Sequence, residues 1–317
     1  MFVETGGIKI RAMKSDPSKI ASQLATVAEA DVQVDKPLAP YTSYKIGGPT
    51  AVWVAPVSED GVGRTLEIIH RNDAPLFVLG RGSNVLLSDR GWDGVTLYLG
   101  ENLSAMAFDG RQARVLAGTL LLDLIRAAVK KGLAGMEQLA GIPGGIGGAL
   151  RMNAGAFGQE IESATRTVKG FRRNGSPFQA TRNDITFDYR RVPELEDVVI
   201  TSAVFGFEES DPQILSDRME DILALRAKKQ PLKYPSCGSV FKRPAGYYAG
   251  ALIEEAGLKG ERIGGAMVSP QHAGFILNVD RASAADVYAL IDLIEKKVFE
   301  RFGVRLEREV RLIGEFG

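Results

Sequence analysis

The chain reads as an α+β protein of mixed α/β character, divided into two or three modules. Its 317 residues exceed what one hydrophobic core ordinarily supports. Helical apolar stripes alternate with short apolar runs over the first half, whereas residues 164–208 alternate apolar and polar side chains in short runs. A long amphipathic helix and a final alternating segment close the chain.

The first dozen or so residues read as a tail, with Met13 an alternative start. Between 58 and 80, Val62, Leu66 and Ile69 share a helical stripe that Pro75 breaks, and "LFVLG" (76–80) follows as a short buried strand. After Thr119, the residues Leu121, Leu124, Ile125 and Ala128 keep i, i+3, i+4, i+7 spacing, and Gly132 is expected to stop that helix.

Residues 141–158, "GIPGGIGGALRMNAGAFG", hold too much glycine for a helix or strand interior, where each one costs about 0.5–1 kcal/mol relative to alanine. They are expected to form a loop that something approaches closely. The runs "TRTVKGFRR" and "DVVITSAVFGF" predict an antiparallel or mixed sheet. A helix from near Pro212 sets Leu215, Met219 and Ile222 on one face and ends at Lys228, Lys229 and Pro231, and a domain boundary is expected at its start.

Ser283 is expected to cap a helix with the stripe Val287, Leu290, Ile291, Ile294 and Val298, stopped by Gly303. The segment "VRLEREVRLIG" (304–314) then predicts a strand, with Val304, Leu306, Val310 and Leu312 on one face and Arg305, Glu307, Glu309 and Arg311 on the other.

Basic and acidic residues number 39 each, so the net charge is zero and the chain lacks the basic field of a nucleic-acid or anionic-membrane binder. One cysteine cannot form an intrachain disulfide, and the opening residues lack the apolar run of a signal peptide, which together predict a cytoplasmic location. No stretch approaches the roughly 18 apolar residues of a membrane span. Neither nucleic acid, nor membrane, nor a metal site is expected.

Two glycine loops, "GRGSN" (80–84) and "GIPGGIGGA" (141–149), suit backbone N–H groups that meet phosphate oxygens. No Gly-Lys-Ser/Thr follows either, so neither is a P-loop, and Val85 and Leu150 stand where a Rossmann fingerprint needs glycine. Their conjunction favours a dinucleotide. A third segment, "PSCGSVFKRP" (235–244), leaves three readings open: Cys237 as a nucleophile, Ser239 as a nucleophile or acid, or a plain turn. A cysteine nucleophile needs a paired base, and the chain has only His70 and His272, so Cys237 reads as a small buried neighbour.

The segments "YTSYKIGG" (41–48), "LGRGSNVLLSD" (79–89), "GIPGGIGGALRMNAGAFG", "YRR" (189–191), "PSCGSVFKRP", "IEEAGLKG" (253–260) and "LEREVRLIG" (306–314) stand in one order. In that order they resemble the UDP-N-acetylenolpyruvoylglucosamine reductase (MurB) family of peptidoglycan precursor synthesis, and the resemblance runs from about residue 20 onward. It implies an FAD-binding module of the vanillyl-alcohol-oxidase/PCMH type in two lobes, followed by a MurB-type substrate domain. The compact length, without a long insertion between Arg190 and the helix near 215, is closer to the type II branch. The implied domains are a tail at 1–20, a first lobe at 21–78 to which 310–317 returns, a second lobe at 79–211, and a substrate domain at 212–309.

The same resemblance implies non-covalent FAD, NADPH as reductant and UDP-N-acetylglucosamine enolpyruvate as the small-molecule substrate of a monomeric enzyme. FAD would be held by Tyr44, Gly47, Gly80, Arg81, Gly82, Ser83 and Asn84, and by Gly141, Pro143, Gly144, Gly145, Gly147, Gly148, Asn153, Ala154 and Gly155. Hydride addition to an enol ether demands a polarised neighbouring carboxylate and a proton donor. Arg190 matches the family's arginine on that carboxylate, Ser239 its proton donor and Glu309 its supporting carboxyl group. On strand periodicity alone Glu307 shares a face with Glu309, and an arginine pairing with Asp188 or Glu194 would be the ordinary reading of Arg190. Lys242, Lys259, Gln271 and His272 are candidates for the substrate. Two rivals remain from the residues: another oxidase of the same flavin fold, and a flavin-carrying electron-transfer subunit with no use for Arg190, Ser239 and Glu309.

Overall fold

The computed structural model describes residues 13–27 and 29–316. Helix α1 (Pro17–Leu24) is capped by Asp16, which accepts from the Ser18 N–H, and it buries Ile20 and Leu24. Residues 13–20 were expected in the tail, yet two apolar side chains one turn apart give this stretch a face to bury. Residues 1–12 lie outside the described part.

Helix α2 (Glu59–Arg71) starts at Ser58, whose hydroxyl accepts from the Gly61 N–H. It packs with α1 on a four-stranded sheet in the order Ala30–Pro37, Pro49–Pro56, Trp92–Tyr98, Leu76–Leu79. The first pair is antiparallel and the other two are parallel. The strand Trp92–Tyr98 therefore belongs to the first lobe, not to the second as the expected break after residue 78 would have it. Its run of buried residues is what a central parallel strand requires.

The second lobe is a five-stranded antiparallel sheet in the order Pro177–Thr181, Thr165–Arg172, Val198–Gly206, Gln112–Leu116, Met106–Asp109. Its core takes the buried faces of α3 (Leu121–Lys130) and α4 (Ile146–Arg151). Helix α4 corrects the expectation of an unbroken loop over 141–158: Ile146 and Leu150 are fully buried and hold one and a half turns together despite Gly147 and Gly148.

Helix α5 (Pro212–Lys229) was expected to open the last domain. Its buried residues Leu215 and Met219 instead join the core of the second lobe, so by packing the break falls after Lys229.

The C-terminal module sets α6 (Ala249–Glu255) and α7 (Ala284–Phe302) around a small sheet of Arg262–Ile263, Ala266–Val268 and Ile276–Asn278. Helix α7 opens on a capping box between Ser283 and Asp286 and stops at Gly303, whose φ is 68°.

The strand expected over 304–314 is shorter. Only Arg311–Ile313 is a strand, parallel to Val85–Leu87 of the first lobe. Residues 304–310 run extended against Phe241 through one bridge at Arg308, whose guanidinium is taken up by Glu295 and Asp292 of α7. Apolar alternation is thus satisfied by packing on a helix, without a neighbouring strand to complete a ladder.

Candidate functional site

A cavity of about 1150 Å³ lies where the three modules meet. Loops 80–85 and 141–149 form one wall, and Ser239, Gln271, His272 and Glu309 come from the C-terminal module.

The two glycine loops carry the clearest sign of a ligand. The main-chain N–H groups of Arg81, Gly82, Ser83 and Asn84 have no partner among the described residues, nor have those of Gly144, Gly145 and Gly148. All seven residues line the cavity. Unpaired backbone donors facing one space form a concave anion site, which suits the diphosphate of a dinucleotide such as FAD.

The glycines themselves serve two purposes. A Cβ on Gly82, whose φ is +62°, would stand 2.2 Å from the Tyr41 carbonyl oxygen, so this glycine is demanded by chain packing. A Cβ on Gly148 would meet nothing within 4 Å, so only an incoming ligand limits that position.

Arg190 is held firmly. It is not on a strand, as expected, but in a turn closed by Asp188 and Arg191, at φ +56°. A left-handed arginine is uncommon and persists only where its surroundings fix it. Its Nε donates to Glu309 Oε1 at 2.8 Å and its Nη2 to the Gly155 carbonyl at 3.1 Å. Arg191 points away to the exposed Glu196.

Asn84 braces the acid, its Nδ2 donating to the Glu309 carbonyl and its own carbonyl accepting from the Arg311 N–H. Burial lifts the Glu309 carboxyl above the ordinary carboxylate range, while Arg190 and Lys242 pull against it. Glu307 separates cleanly from Glu309: it is exposed and pairs with Lys242.

Ser239 follows Gly238, which turns the chain at φ +82°, and it bridges Phe275. Its hydroxyl has no partner among the described residues and lines the cavity. Cys237 is buried against Tyr44, and burial pushes its thiol up to about 12, far from thiolate chemistry.

Tyr44 and Gly47, expected at the cofactor, lie outside the cavity lining: Tyr44 is fully buried in the C-terminal core, and Gly47 packs on Leu87. Asn153 is also buried, bonding Glu160 and the Asp188 carbonyl. Gly80, Pro143, Gly141, Gly147, Ala154 and Gly155 do line it.

Of the substrate candidates, Gln271 and His272 line the cavity, while Lys242 and Lys259 do not: Lys242 pairs with the exposed Glu307, and Lys259 with Glu254, which itself lines the cavity. His272 Nδ1 accepts from the Gly274 N–H, which leaves Nε2–H as the donor of the neutral ring, and burial lowers its pKa.

Sequence reasoning passed over two groups of cations. Arg151, Arg173 and Arg311 line one side of the cavity, and burial with the two neighbouring arginines holds Arg151 down to about 10. Arg226 of α5 also lines it. No motif marks them; only the "E-V-R" placement of Arg311 beside Glu309 offered a signal.

Comparison with known proteins agrees with this architecture. Residues 50–172 match the family profile described as FAD binding domain, and residues 230–313 that of UDP-N-acetylenolpyruvoylglucosamine reductase, C-terminal domain. The reductase of Clostridium novyi is 41% identical over 87% of this chain and 90% of its own length. That of Lactiplantibacillus plantarum is 40% identical over 92% of this chain and 97% of its own length. The crystal structure of the MurB reductase from Thermus caldophilus superposes with a TM-score of 0.77 at 33% identity, covering 90% of this chain and 99% of that one. With its glycine loops, its Arg190–Glu309 pair and these relatives spanning nearly its whole length, the chain belongs to the UDP-N-acetylenolpyruvoylglucosamine reductase (MurB) family.

Proposed function

We propose that this chain reduces UDP-N-acetylglucosamine enolpyruvate to UDP-N-acetylmuramate, with NADPH as the electron source and non-covalent FAD as the carrier. As a member of its family it is an FAD-dependent oxidoreductase of peptidoglycan precursor synthesis. The observation that carries the reading is the meeting of Arg190, Glu309 and the unpartnered Ser239 in one cavity with seven unpaired backbone donors.

Bound FAD would supply the chemistry of taking a hydride from NADPH and passing it to the methylene carbon of the substrate. The loops at 81–84 and 144–148 would hold its diphosphate. Arg190 would bind the substrate carboxylate through the Nη hydrogens that the Gly155 and Asn153 carbonyls do not take, drawing off the negative charge that develops beside it. Ser239 would deliver the proton to the adjacent carbon, completing the addition of one hydride and one proton across the double bond. Glu309 would orient Arg190 as a carboxylate, and Ser239 would regain its proton from water. His272 and Gln271 would donate to the nucleotide half of the substrate.

The described residues include no helix long and apolar enough to cross a membrane and no cluster able to hold a metal ion. A monomer acting in the cytoplasm on small molecules alone is part of the proposal, and size-exclusion chromatography tests the first element of it.

The function is tested by adding NADPH anaerobically to the purified protein and then the enolpyruvyl substrate. The flavin band should bleach on the first addition and return on the second. A band that bleaches but returns only with an unrelated electron acceptor would favour an electron-transfer protein of the same fold.

A further inference from the structure

Arg226 stands near the C-terminal end of α5, in the stretch between the two family matches. It is only 7% exposed, and its Nε and Nη2 are sealed from solvent without a hydrogen-bond partner. No carboxylate forms an ion pair with it among the described residues. Its neighbours are the Gly141 backbone and the Phe157 ring, 5.2 Å from the guanidinium carbon, and all three residues line the cavity. A Cβ on Gly141 would lie 2.7 Å from Arg226 Cδ, so the loop closes tightly over the side chain.

A guanidinium buried with neither a counter-charge nor acceptors at two of its three nitrogens is a costly arrangement, because hydration is lost with nothing in return. Two details show how the side chain is held there. The loop that covers it begins at Gly141 with φ +80°, a conformation that favours glycine, and the aromatic face of Phe157 offers the cation a favourable contact. A neutral side chain would fill the same space at less cost. The missing counter-charge must therefore come from a ligand.

We propose that Arg226 is an anion-binding residue of this cavity, placed to meet negative charge that a ligand brings against the Gly141–Gly144 loop. The proposal rests on the reading that the cavity takes FAD and a uridine nucleotide. Two sources supply such charge: the ring of reduced flavin, which gains electrons, and the diphosphate of the nucleotide. Gly141 and Phe157 both lie within the segment matching the FAD-binding profile, which favours the flavin as the source. A cation beside the ring stabilises its reduced form over its oxidised form and so raises its potential.

The test compares wild-type flavoprotein with Arg226→Gln and Arg226→Lys by two readings, the midpoint potential against a reference dye and the affinity for UDP. With flavin as the source, Arg226→Gln should bind reduced relative to oxidised flavin at least tenfold less tightly. That corresponds to a fall of about 30 mV for the two-electron couple, and UDP affinity should hold within about twofold. With the nucleotide as the source, UDP should bind at least tenfold more weakly at an unchanged potential. Arg226→Lys keeps the charge but not the planar fork, so it should show the same change in smaller measure, and it decides the matter if the glutamine variant does not accumulate folded. Unchanged potential and unchanged UDP affinity in both variants would overturn the proposal. Wild-type protein that takes up no flavin would instead contradict the reading of the cavity, and UDP affinity would still decide the role of Arg226.

Discussion

Arg190 and Glu309 stand 119 positions apart in the chain and are joined by a 2.8 Å bond from Nε to Oε1. Each comes from a segment without a strand of its own, a left-handed turn on one side and an extended run braced by Asn84 on the other. Arg190→Lys should therefore be severe despite keeping the charge, since an ammonium cannot both hold Glu309 and present two donors to a carboxylate. Substrate-driven flavin reoxidation should slow by about 10²–10³-fold, the range for losing one placed donor. Stopped-flow absorbance at the flavin band checks it, and near-normal reoxidation would assign the carboxylate to another cation such as Arg311.

The pH dependence of the same step follows from Glu309, whose carboxyl titrates above its ordinary 4.5 because it is buried. As pH falls through that raised value the carboxylate takes a proton and ceases to hold Arg190 by charge, so reoxidation declines on the acid side. Glu309→Gln should lower the plateau and remove this limb, whereas Glu307→Gln, at an exposed site, should leave both unchanged. A limb that persists in Glu309→Gln would place the titrating group elsewhere.

The glycine loops predict opposite outcomes for two similar changes. Gly148→Ala meets open space in a helical turn, so the protein should gain about 0.5–1 kcal/mol of stability. If a diphosphate approaches there, FAD should nevertheless bind about tenfold more weakly, the size of one lost charge-assisted hydrogen bond. Gly82→Ala should lose stability whether or not flavin is present, because its Cβ runs into the Tyr41 carbonyl. Calorimetry with flavin titration separates the two; unaltered FAD affinity in Gly148→Ala would move the diphosphate away from that loop.

Much of this was legible in the sequence where periodicity and packing agree. The stripe from Val287 to Val298 and its stop at Gly303 became α7, and Val62, Leu66 and Ile69 became the buried face of α2. What escaped depended on distant partners. Trp92–Tyr98 joined the first lobe because the strands at 49–56 and 76–79 flank it, which no local pattern states. Residues 304–310 alternate like a strand yet settle against α7 and Phe241, and Arg190 takes a left-handed conformation that its sequence context does not announce. At the site, Ser239 and Glu309 could be named from motifs, whereas Arg226 and Arg151 emerge only once the cavity exists.

His272 yields a stability prediction. Its pKa lies below the ordinary 6.5 because the ring is buried, so below pH 6.5 the unfolded chain takes a proton that the fold refuses. Stability should fall as pH drops from 6.5 toward the lowered value. His272→Gln should flatten that slope in urea titrations across the same range, and an unchanged slope would assign it to other groups.

The most direct measurement takes the two half-reactions apart in Ser239→Ala by anaerobic stopped-flow. A serine hydroxyl is a weak acid and can serve only a strongly basic acceptor, which arises when the substrate accepts hydride and not when NADPH gives it up. Bleaching of the flavin by NADPH should stay within a few-fold of wild type, while reoxidation by the enolpyruvyl substrate should slow by roughly 10²–10⁴-fold. Equal slowing of both halves, or none in either, would contradict the assignment and leave Ser239 as part of the pocket wall.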